Sequence, residues 1–131
     1  MSTEHCVFCV RNAQGTALAR NTLAVALADS YPVSAGHTLI VPIRHEADFF
    51  ALSLAEQEAV YSLLSQVKGL IDQLHKPDGY NVGVNVGKAA GQTVSHAHMH
   101  LIPRYNGDVA DPRGGVRWVL PAHAAYWEQQ T

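Results

Sequence analysis

The chain has 131 residues, with 9 basic and 11 acidic side chains and a formal net charge of −2. This length favours a single domain, and no two Lys or Arg residues are adjacent, so the basic footprint of a nucleic-acid-binding protein is absent from the sequence. No apolar run approaches the roughly 20 residues of a transmembrane helix, and no signal-peptide pattern is present. We therefore expect one cytoplasmic domain over residues 1–131, with neither a nucleic-acid nor a membrane partner.

The first half of the chain predicts strands and one long helix. Two apolar stretches within residues 16–29 flank a polar turn and predict a hairpin. Residues 37–42, HTLIVP, predict a strand that stops at its proline. Ser53 and Glu56 have the spacing of a capping box, and apolar residues then recur with the helical period. Residues 54–75 are accordingly predicted to form an amphipathic helix.

The second half predicts two further strands and a tail. Residues 80–87 alternate in polarity as a strand does, residues 88–94 read as a loop, and the segment VSHAHMHLIPR (94–104) follows as a strand. This order of elements indicates an antiparallel α+β domain. The tail, about residues 106–131, is rich in Gly and Pro and is predicted to be mostly irregular. Five apolar side chains are expected to tether it: Val116, Trp118, Val119, Tyr126 and Trp127.

Three histidines alternate with apolar residues in His96-Ala97-His98-Met99-His100. In a strand, Ala97 and Met99 would face a core, and the imidazoles would form a row on the opposite face. Imidazoles in a row favour metal binding, anion binding or acid–base chemistry. A catalytic metal held by all three is disfavoured, because the first and last α-carbons would lie about 13 Å apart.

The loop before these histidines, GKAAGQTV, has the composition of a phosphate-binding loop. Gly87 and Gly91 would let backbone N–H groups approach an anion, and Gln92 and Thr93 supply polar donors. An ordinary turn between two strands has the same composition, so both interpretations stay open for this loop alone.

Cys6 and Cys9 have the Cys-x-x-Cys spacing that suits zinc, which would need two further ligands. A redox dithiol and a pair of buried apolar cysteines around Phe8 are the competing interpretations. The redox interpretation is weakened because the motif neither follows a strand nor opens an obvious helix of a βαβ unit.

Residues 96–102, HAHMHLI, resemble the His-φ-His-φ-His-φ-φ signature of the histidine triad (HIT) superfamily of nucleotide hydrolases and transferases. Residues 34–52 resemble the family's Gly-His-x-Leu-φ-φ-Pro strand, and residues 85–104 resemble its active-site half, with the Ile-Pro-Arg ending of the fragile-histidine-triad branch. The resemblance covers about residues 6–108 and is closest to bacterial members that begin with Cys-x-x-Cys. It implies a five-stranded antiparallel sheet with one long helix and a short one, in a two-fold homodimer whose two sheets join.

The same resemblance implies cleavage at the α-phosphate of a nucleotide derivative. His98 would be the nucleophile, with its second ring nitrogen donating to a backbone carbonyl, and His100 would stabilise or protonate the leaving group. Five further residues would serve the substrate: Asp29 at the ribose hydroxyls, Gln92 and Thr93 at the phosphoryl oxygens, Asn85 at the phosphates, and His37 beside the catalytic row.

The resemblance also implies a structural Zn²⁺ held by Cys6, Cys9, His45 and His96, with no organic cofactor. In the family the C-terminal region trims the substrate pocket. Three tail residues are therefore candidates for contact with a distal phosphate or a second base, although they fit solvated or interface positions as well: Arg113, Arg117 and Trp118.

The function implied first is hydrolysis of a dinucleoside polyphosphate such as diadenosine tri- or tetraphosphate. The alternative within enzymes is a purine nucleoside phosphoramidase, which uses the same histidines on a P–N bond. A non-catalytic nucleotide sensor is a third interpretation, and it is disfavoured because His98, His100 and Gln92 are all present. We expect residues 80–87 and the long helix to contribute to the dimer interface.

Overall fold

A computed structural model describes residues 3–129 apart from the side chain of Glu4, so residues 1, 2, 130 and 131 of the predicted domain lie outside it. It contains a five-stranded antiparallel sheet, in the order β1-β2-β3-β5-β4. The strands are β1 (Ala19–Arg20), β2 (Ala24–Ala28), β3 (Thr38–Pro42), β4 (Gly79–Val84) and β5 (Met99–Arg104). The predicted antiparallel α+β fold is confirmed.

Two helices cover opposite faces of this sheet, the short α1 (Val7–Ala13) and the long α2 (Leu54–His75). The bounds of α2 are those predicted. Its capping box is present, because Ser53 Oγ accepts from the Glu56 amide at 3.1 Å and Glu56 Oε1 accepts from the Ser53 amide at 2.9 Å. Among the described residues, no helix combines the length and the apolar character needed to span a bilayer.

The central strands β2 and β3 are buried on both faces. On one face, β2, β3 and β5 contact α2, and the buried residues there are Ala24, Ala26, Ile40, Val60, Leu63, Val67, Ile71, Ala97, Met99 and Leu101. On the other face, β2 and β3 contact the start of α1, and the buried residues are Cys6, Phe8, Val25, Leu27, Leu39 and Val41. Because side chains alternate along a strand, His100 of β5 faces the α1 side of the sheet.

Arg44 fixes the segment after β3 to the start of α2. Its Nε and Nη2 atoms each lie 3.0 Å from an oxygen of the Glu56 carboxylate, in a bidentate pair. These bonds, followed by the backbone N–H of Ser53, lower the pKa of Glu56 to about 2. The segment that carries His45 is therefore anchored at its base by an ionised carboxylate.

The strand that carries the histidines begins later than predicted. His96 lies in a bend and His98 in the irregular segment that follows it, and of the three only His100 lies in the strand. The physical reason is the absence of a partner strand at Ala97, whose amide donates to the carbonyl of Glu46, in a loop, at 2.6 Å. β4 ends at Val84 rather than at residue 87 for the same reason, since Val84 pairs with Met99, where β5 begins.

The tail contains short helical turns, at Gly115–Val119, Pro121–Ala124 and Tyr126–Glu128. The predicted tethering by apolar side chains is wrong for most of the set, because Val116, Val119 and Tyr126 are 61, 78 and 59 % exposed. Arg117 instead joins the tail internally, because it donates to the carbonyls of His123 and Ala124 at 2.6 and 2.9 Å, and Ala124 is buried.

Candidate active site and metal centre

The side chains of the predicted zinc set lie together beside α1. Sγ of Cys6 is 3.4 Å from Nδ1 of His96, and Sγ of Cys9 is 3.5 Å from Nδ1 of both His45 and His96. The two Nδ1 atoms are 3.1 Å apart. A tetrahedral zinc, with bonds of about 2.3 Å to sulfur and about 2.05 Å to nitrogen, needs sulfur–nitrogen separations of roughly 3.6 Å and a nitrogen–nitrogen separation of roughly 3.3 Å. The measured separations are close to these, so the four residues fit a metal ion.

The orientation of His96 favours the same conclusion. Its Nε2 lies 2.7 Å from the carbonyl oxygen of Pro42, so this nitrogen carries the proton and donates, which leaves Nδ1 unprotonated toward the two thiols. Cys6 and His96 are buried, and both cysteines are free thiols. Cys6 immediately precedes a helix, and that helix leads into an antiparallel hairpin rather than a βαβ unit, in agreement with the sequence analysis. The fold therefore does not support a redox dithiol of the thioredoxin kind.

A cavity of about 320 Å³ lies on the α1 side of the sheet. Five of the predicted catalytic and substrate-binding residues line it: Asp29, Asn85, Thr93, His98 and His100. They come from four separate places in the chain, namely the end of β2, the end of β4, the loop before the histidines and the start of β5. The fold thus brings these residues to one cavity, although they are up to 71 positions apart in the chain.

His98 has one fixed ring nitrogen and one that is available. Its Nδ1 lies 2.8 Å from the carbonyl oxygen of His96, to which it donates. Nε2 then carries the lone pair, and the ring borders the cavity while Phe8 contacts it edge-on at a centroid distance of 5.0 Å. The backbone of the histidine segment itself therefore selects the tautomer that a nucleophile requires.

The Val33 amide, His37 and His100 form a hydrogen-bonded chain, and Asp29 lies beside it. The amide of Val33 donates to Nδ1 of His37 at 3.2 Å, so the proton of this neutral imidazole is on Nε2. His37 Nε2 lies 2.9 Å from Nδ1 of His100 and 3.3 Å from Oδ2 of Asp29. Asp29 Oδ1 in turn accepts from the amide of Tyr31 at 2.8 Å.

The surroundings of His37 and His100 keep both imidazoles neutral. Burial first, and then the neighbouring His98 and His37, lower the pKa of His100 to about 4, while Asp29 opposes them. Burial also lowers the pKa of His37, again against the charge of Asp29. With Nδ1 accepting from His37, neutral His100 carries its proton on Nε2. It is therefore arranged as a hydrogen-bond donor rather than as a cationic acid.

Gln92 is the predicted site residue that the structure places elsewhere. Its Oε1 accepts from the amide of Gly87 at 2.9 Å, and its Nε2 donates to the carbonyls of Ala47 and Val94 at 2.8 and 3.0 Å. The side chain therefore closes the loop before the histidines and is absent from the lining of the catalytic cavity. Gly87 and Gly91 support this loop with φ values of +88° and +91°, which other residues rarely adopt.

The HIT domain model matches residues 10–107 of this chain. The chain belongs to the HIT family. An uncharacterised HIT-like protein of Mycoplasma genitalium is 37 % identical over 108 residues, covering 79 % of this chain and 76 % of the relative. An adenosine 5′-monophosphoramidase of Schizosaccharomyces pombe is 36 % identical over 105 residues, covering 77 % and 75 % of the two chains.

Two further comparisons concern a longer enzyme and a solved structure. An asymmetrical bis(5′-nucleosyl)-tetraphosphatase of S. pombe is 30 % identical over 92 residues, covering 70 % of this HIT protein but only 50 % of the relative. The crystal structure of a Zn-bound histidine triad family protein from Mycobacterium smegmatis has a TM-score of 0.73 and 27 % identity, covering 98 % and 100 % of the two chains.

The sequence analysis of this HIT protein overlooked the contribution of α1 to the catalytic cavity. Val7, Phe8 and Arg11 line it, together with Tyr31 from the loop after β2 and Leu39 from β3. Val7, Phe8 and Arg11 have the i, i+1 and i+4 spacing of one helix face, but a helix of seven residues is too short to show a clear helical period.

The tail residues lie away from the catalytic cavity. Arg113 forms an ion pair with Asp111 at 2.9 Å and stacks on the Trp127 ring, so its charge is neutralised locally. Arg117 is committed to backbone carbonyls of the tail. Trp118 borders a separate cavity of about 460 Å³ with Arg104 and Asn81. Within this single chain the tail therefore does not reach His98.

Proposed function

We propose that this HIT protein is a nucleotide hydrolase that cleaves at an α-phosphate through a nucleotidyl intermediate on His98. The observation that carries the proposal is the 2.8 Å bond from His98 Nδ1 to the His96 carbonyl, which leaves the other ring nitrogen free at the cavity. A nucleotide sensor without catalysis would have no use for an imidazole fixed in its nucleophilic tautomer.

In the first step, the Nε2 lone pair of His98 attacks the α-phosphorus. A P–N bond forms as the bond from phosphorus to the leaving group breaks, and the leaving group departs with the bonding electrons. The Nε2–H of His100 donates a hydrogen bond to the atom on which this charge develops. In the second step, water attacks the phosphorus and the P–N bond breaks, with its electrons returning to Nε2. The water proton passes to the solvent, the nucleoside monophosphate is released, and neutral His98 is restored.

The remaining cavity residues hold the nucleotide. Thr93 and the loop amides face the phosphoryl oxygens, and Asn85 orients the phosphate. Asp29 is held by the Tyr31 amide and has lone pairs left to accept from the two ribose hydroxyls. Gln92 shapes the loop that carries Thr93, and it acts as a positioning residue.

A dinucleoside polyphosphate is the substrate class that we propose first. Thr93 borders a second, open cavity that is lined by Ala47, Lys88, Gln92 and Ser95, a set that contains one cation and no carboxylate. Phosphates beyond the α-phosphate could follow this cation, Lys88, there. The relative named as a tetraphosphatase is in keeping with this substrate class.

A purine nucleoside phosphoramidate is the second candidate. The relative named as an adenosine 5′-monophosphoramidase matches about three-quarters of each chain, whereas the tetraphosphatase is twice as long as its matched region. A neutral His100 suits an amine leaving group only if a water molecule supplies the proton, since a neutral imidazole is a weak acid.

We further propose that Cys6, Cys9, His45 and His96 hold a structural Zn²⁺. The tetrahedral separations and the Zn-bound neighbour support this identity. A closed site of four protein ligands supplies folding energy and no open position for a substrate. It would join α1, the loop after β3 and the histidine segment next to the nucleophile.

A substrate panel tests the function. Purified zinc-loaded protein is incubated with a dinucleoside tetraphosphate or a nucleoside 5′-phosphoramidate, each as the adenosine and the guanosine compound, and release of AMP or GMP is measured. We expect release from the polyphosphate with a higher kcat/KM. A preference of more than about a hundredfold for the phosphoramidate would replace the first substrate class by the second. No release from either substrate, with wild type indistinguishable from His98→Asn, would contradict hydrolysis altogether.

A further inference from the structure

Arg11 occupies an unusual position for an arginine. It lies on α1, half-buried, at the wall of the catalytic cavity that also holds Asp29 and His98. Within the described residues, its side chain makes one hydrogen bond, a long one from Nη1 to the hydroxyl of Ser30 at 3.4 Å. Among the side chains that the structure describes, no carboxylate lies within 4.0 Å of this guanidinium. Most of its five N–H donors are therefore available to a ligand.

The part of the cavity beside Arg11, here called the slot, has an apolar wall. Val7, Phe8 and Arg11 lie at i, i+1 and i+4 of α1 and line the cavity together, with Leu39 of β3 also in its wall. An apolar wall with a polar group at its end is the usual construction of a small-molecule site, in which the polar group fixes the orientation of the ligand. The ring of Tyr31 borders the same cavity and is 88 % exposed, so it is available for stacking.

Asp29 indicates which part of a nucleotide reaches this slot. Under the proposed function the α-phosphate lies at His98 and the ribose at Asp29. Ser30 follows Asp29 directly and contacts Arg11, so Arg11 lies next to the ribose position, and we place the base there. A phosphate at this position would be repelled by the nearby Asp29 carboxylate, whereas an uncharged base would not.

We propose that Arg11 reads the base and selects 6-oxopurines, guanine and hypoxanthine, over adenine. A guanidinium is a donor only, and its planar fork matches two acceptors side by side. Guanine and hypoxanthine present O6 and N7, both acceptors, whereas adenine presents the N7 acceptor beside the N6 amino donor, which opposes the fork. This inference rests on the proposed function, and it adds the identity of the base to it.

Equilibrium binding tests the selectivity without requiring turnover. Dissociation constants of GMP, IMP and AMP are measured by calorimetry on the zinc-loaded protein. We expect GMP and IMP to bind alike, because they differ only in the 2-amino group, which does not face the guanidinium fork. AMP should bind about 10- to 100-fold more weakly. 7-Deaza-GMP, which lacks the N7 acceptor, should bind more weakly than GMP.

Two variants separate reading of the base from general affinity. In Arg11→Gln the amide both donates and accepts, so the preference for GMP over AMP should fall below about threefold. Tyr31→Ala is the matched control, because stacking tolerates any base, so it should weaken GMP and AMP by the same factor. Equal binding of AMP and GMP to wild type, or an equal loss for both in Arg11→Gln, would overturn the proposal.

Failure of the inference and failure of the proposed function give different results. AMP or GMP release from the substrate panel, combined with equal binding of the three monophosphates, would refute base selection by Arg11 and leave the hydrolase intact. If none of the three monophosphates binds and no substrate is hydrolysed, both proposals fail together.

Discussion

Nε2 of His37 lies 2.9 Å from Nδ1 of His100, and this contact determines which proton His100 presents to the catalytic cavity. The amide of Val33 occupies the other nitrogen of His37 at 3.2 Å, so His37 can only donate toward His100. A loop amide, a buried imidazole and the catalytic imidazole thus form one directed chain. Each member fixes the tautomer of the next.

Replacing His37 therefore tests a positioning role. In His37→Ala the Nδ1 of His100 loses its donor, and its two tautomers become comparable in energy. We expect kcat to fall about 10- to 100-fold with KM within about threefold of wild type, because a mixture of His100 tautomers affects departure of the leaving group and not substrate binding. His37→Gln, which retains an N–H donor, should recover part of this loss. An increase in KM at unchanged kcat would show instead that His37 contacts the substrate.

The lowered pKa of His100 predicts how its charge and the stability of the protein depend on pH. In the unfolded chain this histidine has the ordinary pKa of about 6.5, and in the folded protein its pKa is about 4. Between these values the unfolded state binds more protons, so the contribution of His100 to stability is complete above pH 6.5 and is lost as the pH falls toward 4.

Nitrogen-15 NMR measures this titration directly. The His100 signals, identified by their absence in His100→Asn, should keep their neutral shifts from pH 8 down to about 5. Asp29→Asn should lower the pKa of His100 further, because the carboxylate opposes the effect of burial. A midpoint near 6.5 in wild type would refute the burial of a neutral ring.

The elements that follow from local sequence signals were predicted well. The bounds of α2 agree because its capping residues and its apolar period lie within residues 53–75. The five-stranded sheet follows the resemblance. The start of β5 could not be predicted from alternation, because whether a residue is in a strand depends on a partner strand, and Ala97 pairs with a loop at Glu46.

The candidate site was likewise predicted only in part from the sequence. The resemblance identified the cavity residues Asp29, His98 and His100, whose order in the chain is that of the family. The role of Gln92 within its loop depends on carbonyls up to 45 positions away, and no local pattern encodes them. Arg11 was not predicted as a site residue because an isolated arginine on a short helix has the sequence signature of an ordinary solvated residue.

Removing one zinc ligand should unfold the N-terminal part of the site. Cys6→Ala leaves three ligands, and the free energy of metal binding at a closed site contributes to folding. We therefore expect the free energy of unfolding to fall by an amount on the order of 3 kcal/mol, or roughly 10 °C in Tm. Mass spectrometry should show the loss of zinc. Val10→Ala, on the same helix but absent from the ligand set, is the control and should retain one zinc per chain. An unchanged Tm with no metal in wild type would end the zinc proposal.

The homodimer is a proposal that the exposed edge of the sheet supports. β4 pairs with β5 on one side only, and Val82 on it is 41 % exposed, as is Leu70 of α2. An unpaired edge of this kind invites pairing with a second copy. Light scattering at micromolar concentration should give twice the chain mass of 14.2 kDa. Val82→Lys should give the monomer mass, and Leu54→Lys, 77 % exposed in the first turn of α2, should remain dimeric. A monomeric wild type would contradict the proposal.

His96 and His98 are two residues apart and are assigned different tasks, so matched substitutions should separate them. His98→Asn removes the nucleophile but leaves the four metal ligands, so zinc content and nucleoside monophosphate binding should stay near wild type while turnover falls at least about a thousandfold. His96→Asn removes a metal ligand together with the bond to Pro42, so zinc content and Tm should fall, and activity should fall with them.

Acid quench of a reaction with radiolabelled substrate distinguishes the nucleophile from its neighbours. A phosphorus–nitrogen bond to imidazole is labile in acid and stable in base, so a brief quench followed by denaturation in base should retain label on the wild-type chain and none on His98→Asn. Label on His98→Asn, or a residual rate above a few per cent of wild type, would exclude His98 as the nucleophile. His100 would not be an equal substitute, because its Nδ1 accepts from His37 and its Nε2 carries the proton, so it has no free lone pair directed at phosphorus.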